Sequence, residues 1–239
     1  MKIVFVAGAP SVGKTMLIKR IIERFHADRK LGFVKLDVSN TDEDEIISRE
    51  YQIISRKVSS GEMCPDHASV VVLKDVISWA YQSGVEMLFI ESAGLCLRCS
   101  PYLTHSMGIA VLSANVGINA PLKMGSMIAL ADAAVVTKVD LVSQAEKEVL
   151  KQKLKERYKK VDVYCTNALQ GYSLSALYER IAKCEDVTFE EMDNIMLRGN
   201  PPLGTCTVCV GRKQIGWDKH YGIVRKITNG VAETMYRGD

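Results

Sequence analysis

Short apolar runs alternate with longer amphipathic stretches along most of the chain. Residues 3–7 form a continuous apolar run of the kind that a buried parallel strand needs, and residues 16–25 after them carry apolar side chains at helical spacing. Further strands are predicted at residues 32–37, 85–90, 109–114, 131–136 and 161–165, and further helices at residues 68–82, 144–159 and up to about 183. We therefore expect an α/β fold in which a mostly parallel, twisted sheet carries helices on both faces.

The pattern changes in the last part of the chain. A short helix is expected over residues 189–197, and a Pro- and Gly-containing stretch after it breaks regular structure. Residues 214–217 and 221–225 are typical of a small β-hairpin or strand pair. We therefore divide the chain into a main domain, residues 1–185, and a small cysteine-containing appendage, residues 186–239.

Composition limits the classes of function. Of the 239 residues, 47% are hydrophobic and 25% are charged, as in ordinary soluble proteins. A net charge of +3 argues against nucleic acid as a general partner, and no apolar run is long enough for membrane insertion. The N-terminus shows no signal-peptide pattern, and seven cysteines suit a reducing compartment. We therefore expect a cytoplasmic protein without a nucleic-acid partner or a membrane segment.

The eight residues after the first strand match the phosphate-binding P-loop pattern G-x-x-x-x-G-K-[ST]. They are Gly8, Ala9, Pro10, Ser11, Val12, Gly13, Lys14 and Thr15. The two glycines allow the backbone to fold tightly around an anion, and the N-terminus of the next helix adds positive potential. Lys14 is predicted to reach the β- and γ-phosphates, and the Thr15 hydroxyl to contact Mg²⁺. Strand, loop and helix in this order predict a P-loop nucleotide-binding fold.

Two further segments fit a nucleotide hydrolase. Glu91 and Gly94 follow an apolar strand, where such proteins place an acid near Mg²⁺ and a glycine at the γ-phosphate. Residues 137–140, Thr-Lys-Val-Asp, follow another strand as the guanine-reading motif [NT]-K-x-D does, with Thr in place of the usual Asn. The predicted base site consists of Thr137, Lys138, Asp140, Asn167 and Ala168. GTP is therefore the predicted nucleotide, and the alternative is a strand end with solvated charges.

These motifs together resemble the nickel-insertion GTPases that serve urease and hydrogenase, in the SIMIBI class of P-loop proteins. The resemblance covers about residues 1–184 and includes Asp37, which closes the second strand and resembles the switch-region acid of that family. It implies GTP hydrolysis in which Lys14, Asp37 and Glu91 are catalytic, with Thr15 and Asp37 holding Mg²⁺. It also implies a homodimer whose partner is a metalloenzyme client or another maturation protein.

Cysteines supply candidate ligands for a softer metal. Cys64 and His67, in the sequence Cys-Pro-Asp-His, resemble the nickel-binding motif of the family with one residue inserted. The remaining candidates form two CxxC pairs, Cys96 with Cys99 and Cys206 with Cys209. Four thiolates could share one Zn²⁺ or Fe–S cluster, or each pair could meet its twin across a dimer axis. Thiolate softness favours Ni²⁺, Zn²⁺ or an Fe–S cluster over Mg²⁺, but each pair could instead be unliganded core residues.

The sequence thus predicts a GTP-hydrolysing metallochaperone. Such a maturation factor would couple nucleotide state and dimerisation to the delivery of a metal, with nickel favoured, or of a metal cluster. One alternative is a small-molecule P-loop kinase or ATP-dependent ligase, in which Asp140 would have no role. The other alternative is a metal- or Fe–S-binding regulatory module whose nucleotide is only structural.

Overall fold

A computed structural model describes residues 1–37, 42–60, 65–94, 102–200 and 212–219, together with the backbone of residues 222–228 and 231–237. Within these ranges, one sheet contains the strands β1 (Lys2–Gly8), β2 (Leu31–Asp37), β3 (Ile54–Ser59), β4 (Met87–Glu91), β5 (Met107–Ser113), β6 (Ala133–Thr137) and β7 (Asp162–Cys165). The α-helices are α1 (Lys14–Phe25), α2 (Glu43–Tyr51), α3 (Pro65–Gln82), α4 (Ala120–Lys123), α5 (Gly125–Ala129), α6 (Gln144–Arg157) and α7 (Ser175–Ala182). A separate antiparallel hairpin follows, made of β8 (Gly222–Thr228) and β9 (Val231–Arg237).

The seven strands lie in the order β3-β2-β4-β1-β5-β6-β7, and every neighbouring pair is parallel. The chain proceeds from β1 toward one edge of the sheet and crosses to the other side after β4. β1 therefore lies between β4 and β5, and the loop after it opens at the carboxyl edge of the sheet. Open α/β sheets bind their ligands at such a point, where the direction of strand order reverses.

Both faces of the sheet are covered, which explains the continuous apolar runs of its strands. Ile3 and Phe5 on β1 face a core that includes the apolar sides of α3 and α6. Val4 and Val6 point the other way, into a core that includes α1 and α7. All four side chains are fully buried. The predicted fold class, a parallel sheet with helices on both faces, is confirmed.

Two elements at one edge of the sheet were not predicted. β3 carries Arg56 and Lys57 among residues that are mostly half-exposed, and only Val58 along it is buried. An edge strand needs burial on fewer sides, so its sequence lacks the apolar run that identified the other strands. The other element is α2, which begins at Glu43 in an acidic stretch whose composition suits either a loop or a helix N-terminus.

The expected helix over residues 189–197 is wrong. Only a three-residue 3-10 turn forms there, Met192–Asn194. The backbone beyond it pairs with other segments instead, since the Leu197 N–H donates to the Lys213 carbonyl at 2.9 Å. The expected strand over residues 214–217 is also absent. The segment expected at residues 221–225 overlaps β8, but β8 pairs with the later strand β9 and not with residues 214–217.

Residues 186–200, which we call the C-terminal strap, pack on the main sheet domain. Their apolar side chains join the core on the α3 face; they are Val187, Met192, Ile195 and Leu197. Arg198 donates to the carbonyls of Leu103 at 2.8 Å and Leu130 at 3.0 Å, and its guanidinium pairs with Asp132 at 2.8 Å. The division of the chain at residue 185 stays a prediction, but the strap shares the core of the preceding domain.

Across the described ranges, none of the helices combines the length and apolar character that a membrane span requires.

Candidate nucleotide-binding site

A cleft of about 740 Å³ opens at the carboxyl ends of β1, β2 and β4. Clefts that bind small molecules typically measure about 300–1,000 Å³, so its size suits a nucleotide. Its lining includes Gly13, Lys14, Thr15, Asp37, Glu91 and Lys138. The topology thus brings residues from three separate sequence motifs to one cavity.

The loop between β1 and α1 has the backbone conformation of a tight anion-binding turn. Gly13, directly before α1, has φ of 94°, in the left-handed region that favours glycine. Ser11 also has a positive φ, 60°, which is uncommon for a residue with a side chain. Gly8 has no room for a side chain, because a Cβ there would lie 2.3 Å from the Val111 carbonyl oxygen. The loop is therefore shaped as the P-loop motif requires.

Lys14 lies over this loop. Its Nζ donates to the carbonyl oxygens of Gly8 at 3.0 Å and Ala9 at 3.1 Å, and its side chain is buried. Burial lowers the pKa of this ammonium, while the nearby Glu91 carboxylate opposes that shift. The ammonium is thus held at the mouth of the loop, where an anion would meet it.

Thr15 and Glu91 contact each other beneath the loop. The Thr15 hydroxyl lies 2.9 Å and 3.0 Å from the two carboxylate oxygens of Glu91, and Glu91 is only 3% exposed. Burial raises the pKa of Glu91, and the cations Lys35 and Lys14 act in the opposite direction. A hydroxyl and a carboxylate are oxygen ligands of the type that Mg²⁺ prefers.

Gly94 lies directly against the P-loop. It has φ of 71°, and a Cβ at this position would lie only 1.6 Å from the Gly8 carbonyl oxygen. The same Cβ would lie 3.4 Å from the Lys14 Nζ. The backbone after β4 therefore packs on the loop between β1 and α1, and the role of Gly94 near a γ-phosphate stays a prediction.

Lys35 is a cleft residue that the sequence analysis missed. It extends from β2 and is only 6% exposed, and its Nζ lies 3.5 Å from Asp37 and 3.8 Å from Glu91. It also contacts the carboxylate of Glu43, at the start of α2. A lysine inside an otherwise apolar, buried strand was the available signal, because lysine is almost never fully buried unless it is paired. Since residues two apart on a strand share a face, its closeness to Asp37 could also have been foreseen.

The side chains of Thr137 and Lys138 form hydrogen bonds directly with the P-loop. The Thr137 hydroxyl donates to the Val12 carbonyl at 2.5 Å, and the Lys138 Nζ donates to the Ser11 carbonyl at 2.8 Å. This contact gives a structural reason for a hydroxyl at the position where the related motif has Asn. Asp140 follows in a short 3-10 turn and is exposed, and within the described chain its carboxylate makes no hydrogen bond.

Asn167 and Ala168 lie in the loop after β7. The Asn167 side chain is occupied within its own turn, since it bonds to Gln170 through both its amide nitrogen and its oxygen. The Ala168 carbonyl accepts a hydrogen bond from Arg20 of α1 at 3.0 Å. Arg20 therefore anchors this loop to the helix that follows the P-loop, a link that sequence spacing alone does not reveal.

The predicted soft-metal ligands are placed only in part. His67 is buried in the first turn of α3, beside the buried Asp66. The five cysteines Cys64, Cys96, Cys99, Cys206 and Cys209 lie outside the described residues. Within the part of the chain that the structure describes, no three His, Cys, Asp or Glu side chains form a group that could hold a metal ion. Metal binding at the cysteines therefore stays a prediction.

Known proteins resemble this chain in sequence, one of them along its full length and others over about half of it. An uncharacterized protein of Methanocaldococcus jannaschii is 37% identical over 240 residues, with complete coverage of both chains. The hydrogenase/urease maturation factor HypB of Helicobacter pylori is 30% identical over 141 residues, which make up 56% of this chain and 55% of that protein. The similarity to HypB thus spans only about half the length of either protein.

Comparison of the folds agrees with the sequence. The crystal structure of the hydrogenase maturation factor HypB from Archaeoglobus fulgidus matches with a TM-score of 0.62 and 22% identity. The match covers 76% of this chain and 89% of that chain, and at this identity it concerns the fold. The profile of the CobW/HypB/UreG nucleotide-binding domain matches residues 2–164. The chain therefore belongs to the CobW/HypB/UreG family of P-loop proteins, and it resembles the nickel-insertion GTPases within it.

Proposed function

We propose that the protein is a Mg²⁺-dependent GTPase that acts as a metallochaperone, with nickel as the favoured cargo and a metalloenzyme as the client. The observation that carries the proposal is the convergence of three motifs on one cleft. Thr15 of the P-loop bonds to Glu91, and residues 137–140 bond to the P-loop through two side chains. Family membership supports the proposal, and one relative is named a hydrogenase/urease maturation factor.

The cleft residues fit a nucleoside triphosphate with Mg²⁺. The Ser92 hydroxyl is buried at the cleft, and within the described chain it has no hydrogen-bond partner that would compete with a ligand oxygen. The Lys14 ammonium would turn from the loop carbonyls to the β- and γ-phosphates. Thr15, Glu91 and Asp37 would supply oxygen ligands for Mg²⁺, which neutralises phosphate charge when it is bound. Asp37, at the carboxyl end of β2, would orient the attacking water.

The bound nucleotide, GTP or GDP, would affect metal binding through the backbone at Gly94. This residue packs on Gly8, and the cysteines Cys96 and Cys99 follow it by two and five positions in the sequence. A coupling free energy of about 1–3 kcal/mol between nucleotide and metal binding changes metal affinity roughly 5–150-fold. A small rearrangement of this backbone would therefore be enough to alter metal affinity. In this proposal the cargo ligands are Cys64, His67, Cys96 and Cys99. Cys206 and Cys209 form a separate site, and hydrolysis resets a homodimer that releases its cargo to the client.

The overall test is a turnover assay on the full chain. Phosphate release from GTP and from ATP would be measured with and without Mg²⁺, and the mass of the particle by light scattering with a GTP analogue and with GDP. We expect Mg²⁺-dependent GTP turnover and a heavier particle with the analogue. Phosphate transfer to a small acceptor, or no turnover at any metal concentration, would favour the kinase or regulatory alternatives instead.

The double substitution Cys96→Ser with Cys99→Ser should remove bound metal while GTP binding survives. The reason is that serine is a poor ligand for a soft metal, and neither residue belongs to the P-loop. Anaerobic purification followed by metal analysis and ultraviolet–visible spectroscopy would measure the loss. Cys165→Ser is the matched control, because this half-buried thiol lies on β7 and should not affect metal content.

A second readout concerns the thiols in the wild-type protein. Alkylation read by mass spectrometry should label Cys96 and Cys99 differently in the GTP-analogue and GDP states. Thiolate ligation releases protons, so metal affinity should rise with pH until the thiols are ionised. Equal labelling in both states, together with metal-free anaerobic protein, would show that these cysteines are packing residues.

Asp140→Asn should shift the nucleotide preference from GTP toward xanthosine triphosphate. A carboxylate accepts from the N1–H and 2-amino groups of guanine, whereas an amide can donate to the 2-oxo group of xanthine. Hydrogen bonds to charged groups are worth about 1.5–3 kcal/mol, so the preference should change roughly 10- to 150-fold. Competition binding would measure the preference, with Glu148→Gln on α6 as a control for the loss of an exposed carboxylate. Stronger binding of ATP than of GTP by the wild type would contradict the assignment.

A further inference from the structure

Lys35 brings a positive charge into the part of the cleft that is proposed to hold Mg²⁺. Its ammonium lies 3.5 Å from an Asp37 oxygen and 3.8 Å from a Glu91 oxygen. Lys35 is paired in register with Glu91 across β2 and β4, so the two side chains extend from adjacent strands on the same face. These contacts involve the two carboxylates that the proposed function assigns to Mg²⁺.

A lysine and a divalent cation are poorly compatible in this position. The Lys35 side chain is 7% exposed and that of Glu91 is 4% exposed, so water screens their charges weakly. A cation placed between Asp37 and Glu91 would lie a few ångströms from the ammonium, and like charges at such distances repel strongly. In the described part of the chain the acidic side chains do not form a preformed metal site. The ammonium therefore occupies the position of their counter-ion.

Glu43 offers Lys35 another partner. This carboxylate stands at the first residue of α2, contacts the ammonium, and is more exposed than Glu91, at 38% of its side chain. If the ammonium left Asp37 and Glu91, it could remain paired with Glu43. The same movement would change the contact between Lys35 of β2 and Glu43 of α2. A cation that enters the cleft would therefore alter how α2 contacts the sheet.

We propose that Lys35 is a positioning residue that acts as a tethered counter-ion of the Mg²⁺ site. Its ammonium holds Asp37 and Glu91 when Mg²⁺ is absent, and Mg²⁺ binds only by displacing it toward Glu43. Lys35 thereby sets the Mg²⁺ concentration at which the triphosphate is held. This inference rests on the proposed function in one respect, that Mg²⁺ and a guanine nucleotide bind in this cleft.

The test is a Mg²⁺ titration of nucleotide binding. A fluorescent, non-hydrolysable GTP analogue would be bound to the full chain at free Mg²⁺ concentrations buffered from chelator excess upward. Lys35→Met keeps the length and the apolar stem but removes the charge. We expect its half-saturating Mg²⁺ concentration to fall about tenfold or more, and tenfold corresponds to about 1.4 kcal/mol.

Two controls separate this role from a merely structural one. Lys35→Arg keeps the charge, so its half-saturating Mg²⁺ concentration should stay within about threefold of the wild type. Lys74→Met removes a lysine of α3 that pairs with Asp193 and lies outside the cleft lining, and it should leave the Mg²⁺ dependence unchanged. Thermal unfolding would establish that each variant is folded. Should Lys35→Met fail to fold, Lys35→Gln replaces it, because Gln can still donate hydrogen bonds to the same carboxylates without a charge.

The outcomes are distinguishable. An unchanged or higher half-saturating Mg²⁺ concentration in the folded, charge-free variant would overturn the role of Lys35 and leave the GTPase proposal intact. If the wild-type protein binds no nucleotide at any Mg²⁺ concentration, the proposed function itself fails. A lowered concentration in Lys35→Met, together with wild-type behaviour in Lys35→Arg, would support the tethered counter-ion.

Discussion

Lys14→Ala should abolish GTP hydrolysis and weaken GTP binding by about 100-fold or more. The Lys14 ammonium is buried and points at the P-loop carbonyls, so its removal takes away the charge best placed to meet the phosphates. Two charge-assisted hydrogen bonds at about 1.5 kcal/mol each correspond to roughly that loss. Phosphate release and equilibrium binding of a fluorescent analogue would measure the two effects.

The fold should survive this change, because alanine is a good residue for the first turn of α1. Arg24→Ala on the same helix is the control for loss of a positive charge, since Arg24 is exposed, pairs with Asp28 and lies outside the cleft lining. That control should retain turnover and binding. Turnover at the wild-type rate in Lys14→Ala would rule out the P-loop as the site of hydrolysis.

Gly94→Ala should damage both stability and nucleotide binding. An alanine at φ of 71° costs about 1–2 kcal/mol in the backbone alone. Its Cβ would also lie 1.6 Å from the Gly8 carbonyl oxygen, and backbone must move to relieve that contact. Because Gly8 is itself packed against the Val111 carbonyl and accepts from Lys14, the movement would disturb the phosphate loop. We expect a total loss of about 3 kcal/mol or more, or roughly 6–12 °C in Tm, and at least tenfold weaker GTP binding.

Gly84→Ala separates the two causes. Gly84 has nearly the same φ, 70°, but a Cβ there would meet only the flexible Lys30 side chain, in ordinary contact at 3.5 Å. Its substitution should therefore show the backbone cost alone and leave GTP affinity unchanged. Calorimetry and binding measured on both variants would make the comparison. Equal affinity in the two variants would mean that Gly94 does not reach the nucleotide loop in the working protein.

The parts of the fold that the sequence predicted are those in which one local pattern has one physical cause. β1 reads as a buried strand because both of its faces are covered. β3 escaped notice because Arg56 and Lys57 interrupt its apolar character, as an edge position allows. The sequence pattern of the strap predicts a helix over residues 189–197, yet the Leu197 N–H donates to the carbonyl of the distant Lys213. Such long-range pairing overrides local periodicity and leaves no mark in it.

The candidate site likewise contains parts that local sequence predicts and parts that depend on distant contacts. The P-loop was predicted because eight consecutive residues carry its geometry. The link between Thr137 and the Val12 carbonyl joins residues 125 positions apart, so no local spacing predicts it. Lys35 was overlooked for a different reason. It was counted within an apolar run, although a buried lysine requires partners and its partners come from other strands and helices.

The packing of the C-terminal strap limits where this protein can be cut and joined to a relative in a chimera. The strap places Leu197 in the same core as α3, and Arg198 closes over the carbonyls of Leu103 and Leu130. A chimera cut at residue 185 would uncover the apolar surface under the strap and remove the Arg198 partner of the half-buried Asp132, so it should aggregate whatever is joined to it. A cut placed after residue 200 keeps the strap in the core, and the segment joined there must replace Ile215 and the Lys213 carbonyl, which contact that region. Exchange of the segment that carries Cys206 and Cys209 between relatives is therefore feasible only if the strap stays with its own sheet.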